Sequence, residues 1–203
     1  MPPLPDTPSA EALQALLPPE LARHCTPAHY PAGAHLFVAG QKPQWMFYVL
    51  QGEVVLERHG QRGQALALQR SSSGLVGEAS LTSARYHCDA RSTLPTVVSK
   101  IPVTALHASL QSDPAFALRW IGMLSQEVRR LRLQSERLAL PTVQERLLHL
   151  IETEGASGRY ALVGTLKDLA RALAVSQEAL YRTLARLEAE GRVVRHAGAL
   201  KLC

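Results

Sequence analysis

The sequence changes its hydrophobic period near residue 112, and this change limits the folds open to it. From Tyr30 to about Leu106, short apolar runs are broken by glycine at intervals that suit strands and turns. From Asp113 onward, apolar residues recur every three or four positions, as on one face of a helix. We therefore expect an α+β chain in which an all-β domain, a closed roll, precedes the helices. Within the roll, "YVLQGEVVLE" predicts a half-buried strand pair folded at Gly52.

One long helix is predicted after Asp113, which can cap it, with Pro114 in the first position, where a missing N–H costs nothing. Its apolar stripe has heptad spacing and consists of Ala117, Ile121, Leu124, Val128, Leu131, Ser135 and Leu138. The stripe fits packing within its own domain or pairing with a second copy. Flanking arginines indicate that the other faces stay in water, which favours a symmetric dimer. The expected dimer contacts are Ala117, Ile121, Leu124, Val128 and Leu131.

Pro141 ends this helix and makes Leu140–Pro141 a candidate hinge. Thr142 with Glu145 forms a capping-box pattern for the next helix. Further helix starts are predicted at Thr165, with Asp168, and at Ser176, and the last helix closes at Gly191. The tail "RVVRHAGALKLC" predicts a two-stranded ribbon turning near Gly198. Two short helices followed by a small ribbon predict a winged helix-turn-helix, which is a DNA-binding unit.

The apolar residues of these helices predict their buried faces: Leu169, Ala172, Leu173, Leu180, Leu184 and Leu187. The polar residues left outside, together with the two helix starts, are the expected DNA contacts: Thr165, Ser176, Gln177, Glu178, Tyr181 and Arg182. Glu178 can accept from cytosine N4, and Arg182 can fork onto guanine O6 and N7. The two residues are also spaced as an ordinary surface ion pair. Ala174 falls where such turns prefer glycine, so a positive φ there would cost about 1 kcal/mol.

Charge and composition narrow the class of protein. The 22 basic and 17 acidic residues give a formal net charge of +5, which modestly favours polyanionic partners. Three cysteines with no close pair lack the ligands for a disulfide framework, a zinc knuckle or a four-cysteine iron–sulfur site. No apolar run is long enough to cross a membrane, and the first residues lack the pattern of a signal peptide, so we expect the cytoplasm and no membrane partner.

The order of roll, long helix, hinge and winged helix-turn-helix resembles the Crp/Fnr family of bacterial transcription regulators. The motifs are "PAGAHLFVAGQ", "MFYVLQGEVVL", "GLVGEASL" and "DLARALAVSQEALYRTLARLEAEGRV". The last is the most specific, because family recognition helices commonly carry the Glu and Arg of positions 178 and 182. A family arginine just before that glutamate is Gln177 here.

The resemblance implies a homodimer on double-stranded DNA, with half-sites about 34 Å apart, and RNA polymerase as a further partner. The expected domains are a cyclic-nucleotide-binding-like roll (1–111), a dimerisation helix (112–140) and a winged helix-turn-helix (141–203).

The resemblance also implies an effector pocket between roll and long helix. Members that bind cyclic AMP hold the ribose with Gly-Glu, the phosphate with Arg-Ser and the base with a polar pair on the long helix. Gly77 and Glu78 match the first of these. The Arg-Ser positions hold Tyr86 and His87, and the base-contacting positions hold Leu131 and Arg132. With Cys88, the expected pocket residues are Gly77, Glu78, Tyr86, His87, Cys88, Leu131 and Arg132.

Two of the three family contacts are missing, so cyclic AMP is not the expected effector. Arg91 could replace the missing cation, but its odd spacing from Tyr86 would turn it to the other strand face. A haem- or redox-sensing member of the same family is an alternative. Carbon monoxide sensors place haem ligands where this chain has Gly77 and Ala79, although His87 and Cys88 could serve from another position.

A cupin-like metal enzyme is the alternative outside the family, because cupins share rolls of this shape. A divalent metal there needs clustered ligands, typically H-x-H with a nearby Glu. None of the eight histidines stands two positions from another. We therefore expect a protein that is not an enzyme.

Overall fold

The computed structural model describes residues 8–60, 64–162 and 164–203. The chain divides into two compact units, Met1–Gly122 and Met123–Cys203, and the boundary lies inside one long helix. The predicted three-part division, with that helix as a part of its own, stays a prediction. Among the described helices, none is both long and apolar enough to cross a membrane.

The first unit is a roll of two antiparallel sheets with helices before and after it in the sequence. One sheet has the strand order β1-β8-β3-β6 and the other β2-β7-β4-β5. The described helices and strands are α1 (Pro8–Leu16), α2 (Pro19–His24), β1 (Thr26–Tyr30), β2 (His35–Phe37), β3 (Trp45–Gln51), β4 (Val54–His59), β5 (Ala65–Ser71), β6 (Gly74–Val76), β7 (Asp89–Ser92), β8 (Thr96–Pro102), α3 (Val103–Ser112) and α4 (Pro114–Ala139).

The predicted strand pair folded at Gly52 is wrong. The chain does turn at Gly52, where φ is +93°, but β3 pairs with β8 and β6 whereas β4 pairs with β5 and β7. The two strands therefore lie in different sheets. The half-buried alternation is also wrong, because every residue from Met46 to Leu50 is buried. Continuous burial of this kind shows that both faces of β3 are covered.

The β structure ends earlier than predicted. The sequence indicated strands to about Leu106, but α3 begins at Val103, directly after β8. Pro102 has extended backbone angles at the start of α3, and Leu106 is completely buried. Proline favours a helix start, where its missing N–H is not needed. Residues 103–106 contain no glycine, so the sequence pattern did not distinguish the start of a helix from the continuation of a strand. The helices α1 and α2 were also not predicted.

The predicted start and end of the long helix are confirmed. Asp113 Oδ1 accepts a hydrogen bond from the backbone N–H of Phe116 at 2.9 Å, and α4 runs for 26 residues to Ala139, two residues before Pro141. In the first unit, Phe116 and Trp120 are buried and pack edge to face, with ring centroids 6.0 Å apart. This face of α4 is therefore distinct from the heptad stripe.

In its described residues, the second unit contains three further helices and a small antiparallel sheet of order β10-β11-β9. Its elements after α4 are α5 (Val143–Glu154), β9 (Arg159–Ala161), α6 (Leu166–Ala172), α7 (Gln177–Ala189), β10 (Val193–His196) and β11 (Ala199–Leu202). The ribbon of β10 and β11 is confirmed and turns at Ala197 and Gly198, both with positive φ. A third strand, β9, was not predicted, because its pairing with β11 joins distant parts of the chain.

The three predicted helix caps are confirmed. Thr142 with Glu145 and Thr165 with Asp168 both form reciprocal capping boxes. The Ser176 hydroxyl accepts from the backbone N–H of Ala179 at 3.1 Å. Because these caps are local, short sequence patterns were sufficient to locate them.

An apolar cluster joins α5, α6, α7 and the small sheet. Its buried members are Leu147, Leu150, Ile151, Leu169, Ala170, Leu173, Leu180, Leu184, Leu187, Val193 and Leu200. One predicted member is wrong: Ala172 is exposed, and Ala170 is buried instead. The error lies in the helix phase. Because α6 is only seven residues long and Ala170 and Ala172 are equally hydrophobic, the sequence did not show which alanine faces the cluster.

Candidate functional site

The turn between α6 and α7 has the backbone strain that the sequence suggested. Ala174 has a φ of +52°, in the left-handed region that glycine adopts freely. The Arg146 guanidinium supports this turn from α5, with Nη1 3.1 Å from Leu173 O and 3.5 Å from Ala174 O. Charge-assisted bonds to two carbonyls help to hold a turn that alanine alone would disfavour.

The first two turns of α7 present polar side chains to solvent. Gln177, Glu178, Tyr181 and Arg182 are all exposed, while Leu180 and Leu184 point into the apolar cluster. Arg182 Nη1 lies 3.3 Å from Glu178 Oε1, and the side chains are 72% and 79% exposed, respectively. Such an exposed pair contributes little to stability, so both groups are available to other partners.

The heptad stripe of α4 is largely exposed in the single chain. Ile121 is 57% exposed, Val128 47% and Leu131 40%, and Leu138 is also exposed. Ala117 and Leu124 are half-buried. Exposure of a contiguous row of apolar side chains to water is unfavourable, and such a row is typical of an interaction surface.

Gly77 forms a tight turn at the centre of the predicted pocket. It has a φ of +94° and precedes a short 3₁₀ turn, Glu78–Ser80. A Cβ at this position would lie 3.4 Å from the Phe37 ring and 3.6 Å from the Tyr86 ring. The cradle that resembles the ribose-binding Gly-Glu is therefore walled by two aromatic rings.

Tyr86 is a core residue, although it occupies the position of the family's phosphate-binding arginine. Its side chain is buried, and its ring stacks on Phe37 with centroids 3.8 Å apart. The hydroxyl donates to the backbone carbonyl of Trp45. Burial raises the pKa of Tyr86 above its ordinary value, so the hydroxyl stays protonated. With its one proton donated to Trp45, Tyr86 has none to offer a phosphate.

His87 and Cys88 differ in exposure, and both lie in bends before β7. His87 is exposed, and its Nδ1 lies 3.0 Å from the buried Ser80 Oγ. Cys88 is buried, and burial raises the pKa of its thiol. A thiol of this kind holds little reactive thiolate at neutral pH.

Arg91 is committed to another partner. It donates to both carboxylate oxygens of Glu57, at 2.7 and 2.9 Å, and this bidentate contact lowers the pKa of Glu57. Register pairs Arg91 with Val55 and His35, and Ala90 with Leu56. The expectation that Arg91 does not replace the missing cation agrees with this contact.

Sequence reasoning missed Arg58, which lies on β4 beside the predicted pocket residues. Its Nη2 donates to His87 O at 3.2 Å, and the side chain is exposed. The pocket prediction rested on residues 77–78, 86–88 and 131–132, and the approach of β4 to residue 87 carries no local sequence signal. The remaining predicted pocket residues, Leu131 and Arg132, are exposed on α4 in the second unit.

Among the described residues, no group of three or more His, Cys, Asp and Glu side chains is placed to hold a metal ion. His87 and Cys88 therefore lack a third ligand of these types within the described part of the chain. This arrangement gives no specific support to the metal-enzyme alternative, whereas haem needs only one or two axial ligands, so the haem-sensing alternative stays a prediction.

Comparisons with known proteins give a matching domain model and a shared fold. Residues 27–113 match the family model of the cyclic nucleotide-binding domain. The chain is similar in structure to FixK2 from Bradyrhizobium japonicum (19% identity, 88% of this chain and 92% of that one, TM-score 0.61). It is also similar to TTHB099, a transcriptional regulator of the CRP family from Thermus thermophilus (18%, 86% and 91%, TM-score 0.52).

A third similar structure is that of CLP, the c-di-GMP responsive global regulator of Xanthomonas campestris (22% identity, 96% of this chain and 97% of that one, TM-score 0.55). The search of curated proteins gave no match. Residues 27–113 thus match the cyclic nucleotide-binding domain by sequence, and the chain has the fold of Crp/Fnr-type transcription regulators. The resemblance read from the motifs is confirmed at this level.

The three cysteines should differ sharply in reactivity. Cys203 is exposed, whereas Cys25 and Cys88 are buried, and burial raises the pKa of Cys25 to about 11. With 5,5′-dithiobis(2-nitrobenzoate) at about pH 8, we expect Cys203 alone to react in the native protein, and the other two only after unfolding. A Cys203→Ser control should then be silent. Rapid native labelling of Cys88 would contradict this assignment and favour a redox role.

Proposed function

We propose that the protein is a sequence-specific DNA-binding transcription regulator that acts as a homodimer in the cytoplasm, with RNA polymerase as a further partner. The observation that carries the proposal is the polar face of α7, with Gln177, Glu178, Tyr181 and Arg182 exposed over a buried apolar frame. Thr165 and Ser176, at the starts of α6 and α7, complete the proposed DNA-binding surface. A capped, amphipathic second helix of this kind is the element that enters the major groove.

Chemistry at this face suits one G·C base pair. Glu178 offers an acceptor to cytosine N4, and Arg182 offers two parallel donors to guanine O6 and N7. Their mutual contact is exposed, so its loss on DNA binding costs little. Residues 142–203 hold nine basic and seven acidic residues. Because this excess is small, specificity must come from placed side chains more than from net charge.

Arg182→Ala should abolish sequence-specific binding and leave the dimer intact. The lost guanine contact is worth about 1–3 kcal/mol in each half-site, which is roughly a 5- to 150-fold loss of affinity per half-site. Fluorescence anisotropy with a selected site and a scrambled duplex measures this loss. Arg186→Ala is the matched control, because Arg186 lies in the third turn of the same helix and donates to Gln144. Equal affinities of Arg182→Ala and parent for the selected site would contradict the groove assignment.

Dimerisation is proposed along α4. The exposed stripe Ile121, Val128, Leu131 and Leu138, with half-buried Ala117 and Leu124, has the 4-and-3 spacing of a two-helix seam. Pairing with the same stripe of a second copy buries these side chains, because a two-fold interface uses the same surface on both partners. A two-fold dimer also presents two α7 helices to two half-sites, as a symmetric operator requires.

Leu124→Glu should break the dimer, because two like charges would meet in the seam. Sedimentation velocity should then show a monomer, and tight operator binding should be lost with it. Gln126→Glu adds the same charge at an exposed position off the stripe and should remain dimeric. A Leu124→Glu protein that still sediments as a dimer would place the interface elsewhere.

The roll is proposed to sense an effector other than cyclic AMP. Of the family contacts, Gly77 and Glu78 are present, but the phosphate position holds Tyr86, whose hydroxyl is already donated to Trp45. Arg91 is bound to Glu57. A cyclic phosphate would therefore lose charge-assisted bonds worth about 1.5–3 kcal/mol each.

Isothermal titration calorimetry with cyclic AMP and with cyclic GMP should detect no binding at micromolar concentrations. DNA affinity should be unchanged when either nucleotide is present. Micromolar affinity for either nucleotide would contradict the proposal. In that case Arg58→Gln would show whether the exposed Arg58 supplies the phosphate contact from β4.

A further inference from the structure

The end of α4 is attached to the rest of the second unit through polar contacts. The apolar cluster of that unit draws its buried and half-buried members from residues 143–202, and none of its described members belongs to α4. Three contacts instead join the last turns of α4 and the residue after it to α5. They are Arg137–Glu154, Glu136–His149 and Arg146–Leu140, and we call this set the polar clasp.

Arg137 is the most buried member of the clasp. Only 3% of the residue is exposed, and Nη2 donates to Oε1 of Glu154, the last residue of α5. Its Nε is buried without a hydrogen-bond partner among the described residues. The cation is thus held by one carboxylate. A buried charge with one partner tolerates few positions, because any shift leaves the charge unpaired.

The other two contacts also span the Leu140–Pro141 break, because each joins a residue before Pro141 to a residue of α5. His149 Nε2 is 3.5 Å from Glu136 Oε1, which is an ion pair only when the imidazole is protonated and is not a hydrogen bond in this geometry. Arg146 Nε donates to Leu140 O at 2.8 Å, while its Nη1 donates to Leu173 O in the turn before α7. Arg146 therefore links the residue before Pro141 directly to the turn that positions α7.

We propose that the polar clasp fixes the direction in which α4 leaves the DNA-binding unit, and that Arg137 and Arg146 are positioning residues for DNA reading. Ion pairs and hydrogen bonds are directional, whereas apolar packing tolerates sliding and repacking. The inference rests on the proposed function. In a dimer joined through α4, an error in this direction misplaces one α7 relative to the other. It should therefore weaken binding to paired half-sites and spare binding to one.

The test replaces the Arg137–Glu154 ion pair, in which only the arginine is buried, with apolar residues of similar size, in Arg137→Met/Glu154→Met. Such a replacement keeps or restores stability in buried pairs, so the protein should fold and dimerise. We expect the affinity for a duplex with both selected half-sites to fall about tenfold or more, and the affinity for a single half-site to stay within about twofold. The matched control, Glu127→Met/Arg130→Met, removes an ion pair within α4 whose arginine is exposed and whose carboxylate is half-buried, and it should change neither affinity.

A second readout does not depend on DNA. Hydrogen–deuterium exchange at residues 136–142 should rise roughly tenfold or more in Arg137→Met/Glu154→Met, as the helix end is released, and stay unchanged in the control. A folded dimer with parental full-site affinity and parental exchange would overturn the inference. If the parent binds no duplex, the proposed function fails, and exchange alone decides whether the clasp holds the helix end.

Discussion

The proposed DNA-reading surface depends on the apolar contact that fixes α7. Leu180, Leu184 and Leu187 are completely buried in the cluster with α5 and α6, and each such side chain contributes about 1.5–3 kcal/mol by leaving water. Because these residues recur at helical spacing, their burial turns the opposite face of α7 outward. The exposed positions of Glu178 and Arg182 are consequences of this packing and need no separate explanation.

In the roll, the predicted pocket residue Tyr86 takes part in core packing. Tyr86, which the resemblance aligns with the family's phosphate-binding arginine, stacks on Phe37 and donates to the backbone carbonyl of Trp45. Both contacts stabilise the core of the roll. Gly77 keeps its left-handed turn, which Phe37 and Tyr86 wall closely. The left-handed turn at Gly77 is thus present, whereas the position that the resemblance aligns with the phosphate-binding arginine, in the loop before β7, holds no cation. The proposal that the roll senses an effector other than cyclic AMP is consistent with both observations.

Local features of this chain were predictable, and long-range ones were not. The caps at Thr142, Thr165 and Ser176 and the positive φ of Ala174 follow from patterns within four residues. The separation of β3 and β4 into two sheets depends on partners far along the chain, and alternation in one strand cannot report them. Arg58 beside His87 and Arg137 on Glu154 were missed for the same reason. The exposure of the polar residues proposed on α7 was predictable because one helix contains them all.

Selection of binding sites from random duplex DNA by the purified parent protein tests the central claim most directly. We predict enrichment of a two-fold symmetric sequence, with a G·C pair at equivalent positions of two half-sites whose centres are about 34 Å apart. Enrichment should disappear at those G·C positions when Arg182 is replaced by alanine. Failure to enrich any sequence over the starting pool, under conditions in which the protein is folded and dimeric, would contradict the account.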